Sequence, residues 1–181
     1  MGARASDVVE ALCAGAPRRA RAWLRLLRRR RGRGRPSAPW TLAHEAAAFF
    51  WEGRFDRALA LAEQARGGEQ TPRLAEAVAV ACLALSGRPG EARARFDAGG
   101  PGLRKWSSAY AAFDGRALEA MLLHHEGREA ESRAALEQVL AHARDAPSRR
   151  LARYYLAAIA HGAAQPVQAG LSMRTKARST S

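Results

Sequence analysis

The sequence predicts an all-α protein, an α-solenoid of about four helix-turn-helix units preceded by a basic N-terminal helix and arm. Three observations carry that expectation. An apolar run, a Gly-Arg pair and an Ala/Leu-rich run recur around Gly53, Gly87 and Gly127, and more faintly around Gly162, with Gly53 and Gly87 34 residues apart; a fixed period of that length is the mark of stacked repeats. Hydrophobic residues make up 48% of the chain but aromatics only 7%, so burial must come from many close contacts between small side chains, above all Ala, the best helix former. Few segments show the alternating Val/Ile/Thr pattern of strands.

Taken in order, Ser6 to Gly15 predicts a short helix that Ser6 or Asp7 caps and Gly15 stops. Pro17 suits the first turn of a second helix, on which Ala20, Trp23, Leu24 and Leu27 line one side and Arg18, Arg21, Arg25 and Arg28 the other. From Arg29 to Pro39 the run RRRGRGRPSAP predicts a flexible linker, because like charges, glycines and prolines all oppose a packed helix. Trp40 or Thr41 opens a hairpin with Leu42, Ala46, Phe49 and Phe50 on its first helix and Phe55, Ala58, Leu59, Ala62 and Ala65 on its second. Thr71-Pro72 starts the next, which turns at Gly87 to Gly90 and ends at the GGPG break. Gly87 and Gly127 are 40 residues apart, so the third unit carries an insertion near WSSAYAAFDG, where Trp106, Tyr110 and Phe113 recur at helical spacing. A fourth unit starts at Pro147 or Ser148 and turns at Gly162. Its return helix, interrupted by Pro166 and Gly170, suits an end cap. The predicted organisation is a basic helix and linker over 1–39, a repeat domain over 40–170 and a disordered basic tail over 171–181.

Ala46, Phe49, Gly53, Phe55, Ala58 and Ala65 follow the order of small, large, turn, aromatic and small residues that defines the tetratricopeptide repeat, and this region resembles that family. The second unit matches at Leu83, Gly87, Ala92 and Phe96, with Pro89 in the aromatic position and Gly99 in that of the last Ala. The third matches at Ala120, Leu123, Gly127 and Leu136, with Ser132 where the family has Ala. The family's early Trp and closing Pro are missing from these units. The resemblance implies a right-handed superhelix whose first helices line a concave groove that receives a peptide or helix of a partner protein. Carried over position by position, the groove falls at Ala47, Phe50 and Trp51, at Ala81, Ala84 and Leu85, at Met121, His124 and His125, and at Arg149 and Leu156. Such a groove would favour an apolar or acidic segment. The expected role is a non-catalytic adaptor in the cytoplasm.

Charge offers the alternative. The net +13 divides into +9 over residues 1–40, +1 over 41–170 and +3 over 171–181. Arg18, Arg21, Arg25, Arg28, Arg29, Arg30 and Arg31 form a basic arm suited to nucleic acid or an anionic membrane surface, with the repeats as scaffold. Trp23, Leu24 and Leu27 fit a membrane interface, and MGARAS satisfies the short myristoylation pattern at Gly2 and Ser6. Against these stands a solvated arm produced by biased composition.

Other chemistry finds little footing. Cys13 and Cys82 are far apart in Ala/Leu surroundings, so no disulfide framework is expected. No apolar run reaches the length of a spanning helix, and no signal-peptide core follows the first basic residues. His124-His125-Glu126 invites a metal reading, but adjacent helical residues point about 100° apart, and ligands would have to come from His142 or His161. No nucleophile triad, phosphate loop or carboxylate pair is present, and no cofactor or metal is expected.

Overall fold

The computed structural model describes residues 3–29, 37–66 and 72–160. Among these the chain forms ten α-helices and no strand: α1 (Ala5–Cys13), α2 (Pro17–Arg29), α3 (Ala38–Trp51), α4 (Phe55–Arg66), α5 (Arg73–Leu85), α6 (Pro89–Ala98), α7 (Gly100–Arg104), α8 (Gly115–His125), α9 (Glu129–His142) and α10 (Ala146–Ala160), with one 3-10 turn at Ala111–Phe113. The all-α expectation holds. Gly2, residues 30–36 of the predicted linker with Arg30 and Arg31, the cap at Thr71, His161, the turn at Gly162 and the basic tail lie outside the described residues, while Arg29 ends α2 and Ala38 and Pro39 open α3 where linker was expected.

Four helix pairs share one turn. Gly15, Gly53, Gly87 and Gly127 have φ of 72°, 73°, 76° and 75°, the left-handed region that a residue with a Cβ enters only at a cost. In each, the N–H after the glycine reaches back to a carbonyl of the last helical turn: Ala16 to Ala11, Arg54 to Phe49, Arg88 to Leu83 and Arg128 to Leu123, at 2.8–3.0 Å. This is the Schellman closure, which satisfies carbonyls that a helix end would leave open. The sequence period points to Gly53, Gly87 and Gly127; the structure adds Gly15.

That addition changes the N-terminus. Helices α1 and α2 are a hairpin of the same kind, packed on α3, and Val8, Leu12, Ala20, Leu24 and Leu27 belong to the same buried cluster as the rest of the chain. The helix expected to stand apart from the repeat domain shares its core. Each fully buried Leu is worth about 1.5–3 kcal/mol, so several such contacts hold α2 in place. Helix α3 begins two residues before Trp40, because Ser37 Oγ accepts from the Trp40 N–H at 3.3 Å.

The core is centred on α5. Its residues from Ala77 to Leu85 are all buried, as expected of a helix apolar all round, and it touches α3, α4, α6, α8 and the 3-10 turn. Ion pairs bind successive helices outside this core. Arg95, its side chain 14% exposed, bridges Glu63 of α4 and Glu76 of α5, and Arg93 reaches Glu126 beyond α8 at 2.5 Å.

The inserted stretch departs from its helical pattern. Residues 105–110 are irregular and only Ala111–Phe113 turns. Side chains take the N–H groups a helix would have used: Asp114 accepts from Ser108, Ser108 Oγ from Tyr110 at 3.0 Å, Asp145 from Ala111 at 3.1 Å and Ser148 Oγ from Ala112 at 2.7 Å. Ser, Asp and Asn compete with helical bonding in this way. The resulting strap, 106–114, touches α5, α8, α9 and α10, and Cys13 Sγ of α1 lies 3.5 Å from the Ala109 carbonyl. Helices α1 and α10 also meet, so the first and last described elements come together beside the strap.

Candidate basic surface

The groove positions inferred from the resemblance are mostly core. Ala47, Ala81 and Ala84 are at most 1% exposed, Phe50, Trp51 and Met121 2%, Leu85 and His124 6%. At Phe50 and Trp51 the strap is the reason, and at His124 the Tyr155 ring of α10. Phe113, fully buried, stands edge-on to Phe50 with ring centroids 5.0 Å apart and tilted against Trp51 at 5.6 Å, and Tyr110 packs edge-on to His44. Of the predicted groove residues, His125 and Leu156 are half-buried and Arg149 is exposed. The groove expected to be open is closed by the chain itself.

Helix α2 presents a different surface. With Ala20, Leu24 and Leu27 turned into the core, its arginines divide into two sets. Arg21 and Arg28 are tied to α3, to Glu52 at 2.9 Å and to Glu45, so these two arm residues are not free charges. Arg18, Arg25 and Arg29 are exposed and have no carboxylate partner among the described residues. Arg19 joins them; it falls off the Arg18–Arg21–Arg25–Arg28 face, so periodicity does not single it out. Leu26, 47% exposed, and half-buried Trp23 share this side.

The patch continues onto the α3–α4 turn. The guanidinium carbons of Arg21, Arg54 and Arg57 lie 4.5, 5.0 and 4.4 Å from the centroid of the Phe49 ring. A cation over an aromatic face is attracted to it, and gathering three on one ring puts them within about one screening length, roughly 10 Å at 0.1 M salt, of one another. Glu52 is the carboxylate paired among them, and it is held by Arg21. Arg54 and Arg57 are exposed. The sequence holds a signal for this cluster, since Arg54 and Arg57 are three residues apart across the start of α4 and therefore on one side of it. Phe49 reads only as core, and that conceals it.

The histidine pair sits elsewhere. His124 and His125 pack against the buried Tyr155 ring at 5.5 and 6.2 Å. Both ring nitrogens of His124, the His125 Nε2 and the Tyr155 hydroxyl are enclosed without hydrogen-bond partners. Burial lowers both histidine pKa values, which favours neutral rings. His142 Nδ1 bonds its own helix at the Gln138 carbonyl, and among the described residues no three His, Cys, Asp or Glu side chains gather as a metal site. Cys82 is buried and its thiol pKa is pushed far up by burial, the opposite of an activated nucleophile. No described helix is long and apolar enough to cross a membrane.

No family model matches this chain, and no curated protein or solved structure matches it.

Proposed function

We propose that this protein is a non-catalytic helical scaffold, a tetratricopeptide-like α-solenoid, that holds the phosphate backbone of a nucleic acid on the basic face of α2 and the α3–α4 turn. The four matching glycine turns support the solenoid reading. The observation that carries the function is the imbalance of charge on that face. Arg18, Arg19, Arg25 and Arg29 are exposed and form no ion pair among the described residues, although Asp7 and Glu10 line a hollow with Arg19, and Arg21 of the same helix meets Arg54 and Arg57 over Phe49, while between α4, α5, α6 and α8 the arginines Arg66, Arg93 and Arg95 are matched to glutamates.

At 1.5 Å per residue, Arg18 to Arg29 spans about 16 Å, the axial length of roughly five phosphates on one strand at 3.4 Å each. A membrane surface fits less well. The apolar side of α2 is spent on the fold, leaving Leu26 and part of Trp23, whereas interfacial helices bind in proportion to the apolar area they insert. Fluorescence anisotropy with labelled oligonucleotides tests the reading. Replacing Arg18, Arg19, Arg25 and Arg29 together by Gln should weaken binding at least tenfold, and unchanged binding would remove the proposal.

A second reading keeps the adaptor. Trp51 Nε1 and Tyr110 Oη are buried without partners where the strap meets the would-be groove, and a partner peptide supplying an acceptor there would satisfy what the strap leaves open. It requires the strap to leave. A partner captured equally well by the Phe50→Ala and wild-type chains would count against it.

A further inference from the structure

Away from α2, a cleft of about 710 Å³ opens between the strap, the start of α8 and the chain beyond α9. That volume falls in the range of roughly 300–1,000 Å³ typical of small-ligand sites. Lys105 enters it from the end of α7, Trp106 and Ser107 from the strap, Arg116 from α8, and His142 and Arg144 from the far side.

Its hydrogen-bonding groups are unevenly spent. Asp114 and Asp145 also line the cleft, but Asp114 accepts from the Ser108 N–H, and Asp145 accepts from Ala111 through one oxygen at 3.1 Å and from Ser148 through the other at 2.8 Å. They hold the strap in shape. Lys105, Arg116 and Arg144 are exposed and have no ion-pair partner among the described residues; Arg104, by contrast, is held by Asp97 at 2.5 Å. Lys105, Arg144, and Arg116, whose charge also acts on Asp114, thus join the Ser107 hydroxyl in a space whose carboxylates already accept backbone N–H groups. Such a lining is rich in donors and calls for an anionic ligand rich in acceptors. Half-buried Trp106 adds a flat aromatic surface beside the charges, and a base of any identity can stack on such a surface.

We propose that this cleft binds a nucleotide-sized ligand, its phosphates held by Lys105, Arg116 and Arg144 and its aromatic ring stacked on Trp106. The two lining carboxylates oppose the phosphate, but three cations outnumber them. None of the α2 arginines lines the cleft, so the proposal stands apart from nucleic-acid binding.

Titration calorimetry on the full chain at low salt, with adenosine diphosphate, inorganic pyrophosphate and adenosine as probes, tests it. Adenosine diphosphate should bind one to one. Pyrophosphate should bind at least tenfold more weakly, and adenosine more weakly still. The double variant R116Q/R144Q should lose at least tenfold in affinity for adenosine diphosphate, Trp106→Ala should remove its advantage over pyrophosphate, and R18Q/R25Q should stay within twofold of wild type. Arg116 and Arg144 are exposed, so their variants should keep the helical circular dichroism and melting temperature that show an intact fold. The proposal is overturned if adenosine diphosphate does not saturate below millimolar concentration, if pyrophosphate binds as tightly, or if R18Q/R25Q and not R116Q/R144Q abolishes binding.

Discussion

Phe113 meets Phe50 edge to face, centroids 5.0 Å apart at an interplanar angle of 68°, so a residue of the inserted strap occupies the interior that the first helices would otherwise line. This contact joins the anomaly in the repeat spacing to the fate of the groove. The Gly87 to Gly127 interval exceeds the 34-residue spacing by six residues, and the strap lies within that longer interval.

Removing that ring should cost more than a surface change could. Phe113 is fully buried, and Phe→Ala in a core costs about 3–5 kcal/mol. Urea unfolding of Phe113→Ala should show a loss of this size; a loss below about 1 kcal/mol would mean that the strap is dispensable to the fold.

The strap's polar anchors should be unequal to superficially similar ones. Ser148→Ala removes the acceptor of the buried Ala112 N–H, and leaving a buried donor unmet costs about 1–3 kcal/mol. Ser132→Ala deletes only a donor to the Ala120 carbonyl. It should cost about 1 kcal/mol or less. Paired denaturant titrations would show the order, and equal losses would contradict it.

Two glycine substitutions should differ for geometric reasons. At Gly53 a Cβ meets nothing within 4 Å, so Gly53→Ala suffers only the left-handed backbone, about 1–2 kcal/mol. At Gly115 a Cβ would lie 2.2 Å from the Arg104 carbonyl oxygen and 2.3 Å from that of Leu103. The backbone of α7 or α8 must move, so Gly115→Ala should lower the melting temperature more than Gly53→Ala; the reverse order would contradict the close approach of α7 to α8.

Stability should fall with acid before the carboxylates titrate. His44 is buried, stacks on Trp40 with centroids 3.8 Å apart and bonds the Trp40 carbonyl through Nδ1; burial lowers its pKa from 6.5 to about 4. Between those values the unfolded chain binds a proton that the native chain refuses, so stability declines as pH drops from 6.5 and levels off below about 4, for a total on the order of 3 kcal/mol. His124 and His125, also lowered by burial, act in the same direction. Unfolding free energies measured from neutral pH down to about pH 4 should show the decline, and His44→Gln should flatten it.

Much of the helical framework was legible because it rests on local chemistry. The Gly-Arg turns at Gly53, Gly87 and Gly127 declare themselves through a recurring spacing and a backbone demand that glycine meets most cheaply. Gly15 carries the same demand, but it precedes Gly53 by 38 residues and is followed by an arginine-rich helix that reads as an arm. The strap was obscure for another reason. Trp106, Tyr110 and Phe113 have helical spacing, and only distant Asp145 and Ser148, which take the Ala111 and Ala112 N–H groups, favour the irregular path. The basic patch was half legible. Arg18 and Arg25 follow from periodicity and Arg29 only as the start of the expected linker, whereas the pairing of Arg21 and Arg28 with α3, and the meeting of Arg21 with Arg54 and Arg57 over Phe49, depend on how two hairpins pack.

The measurement that bears most directly on the proposed function is the salt dependence of oligonucleotide binding. Each phosphate contact contributes about −0.9 to the slope of log K against log salt on duplex DNA. Wild-type protein should therefore give a steep negative slope, and R18Q/R25Q should make it shallower by about 1.8, two contacts' worth, with helical content unchanged. A slope near zero, or one that R18Q/R25Q leaves as steep as wild type, would contradict binding through the face of α2.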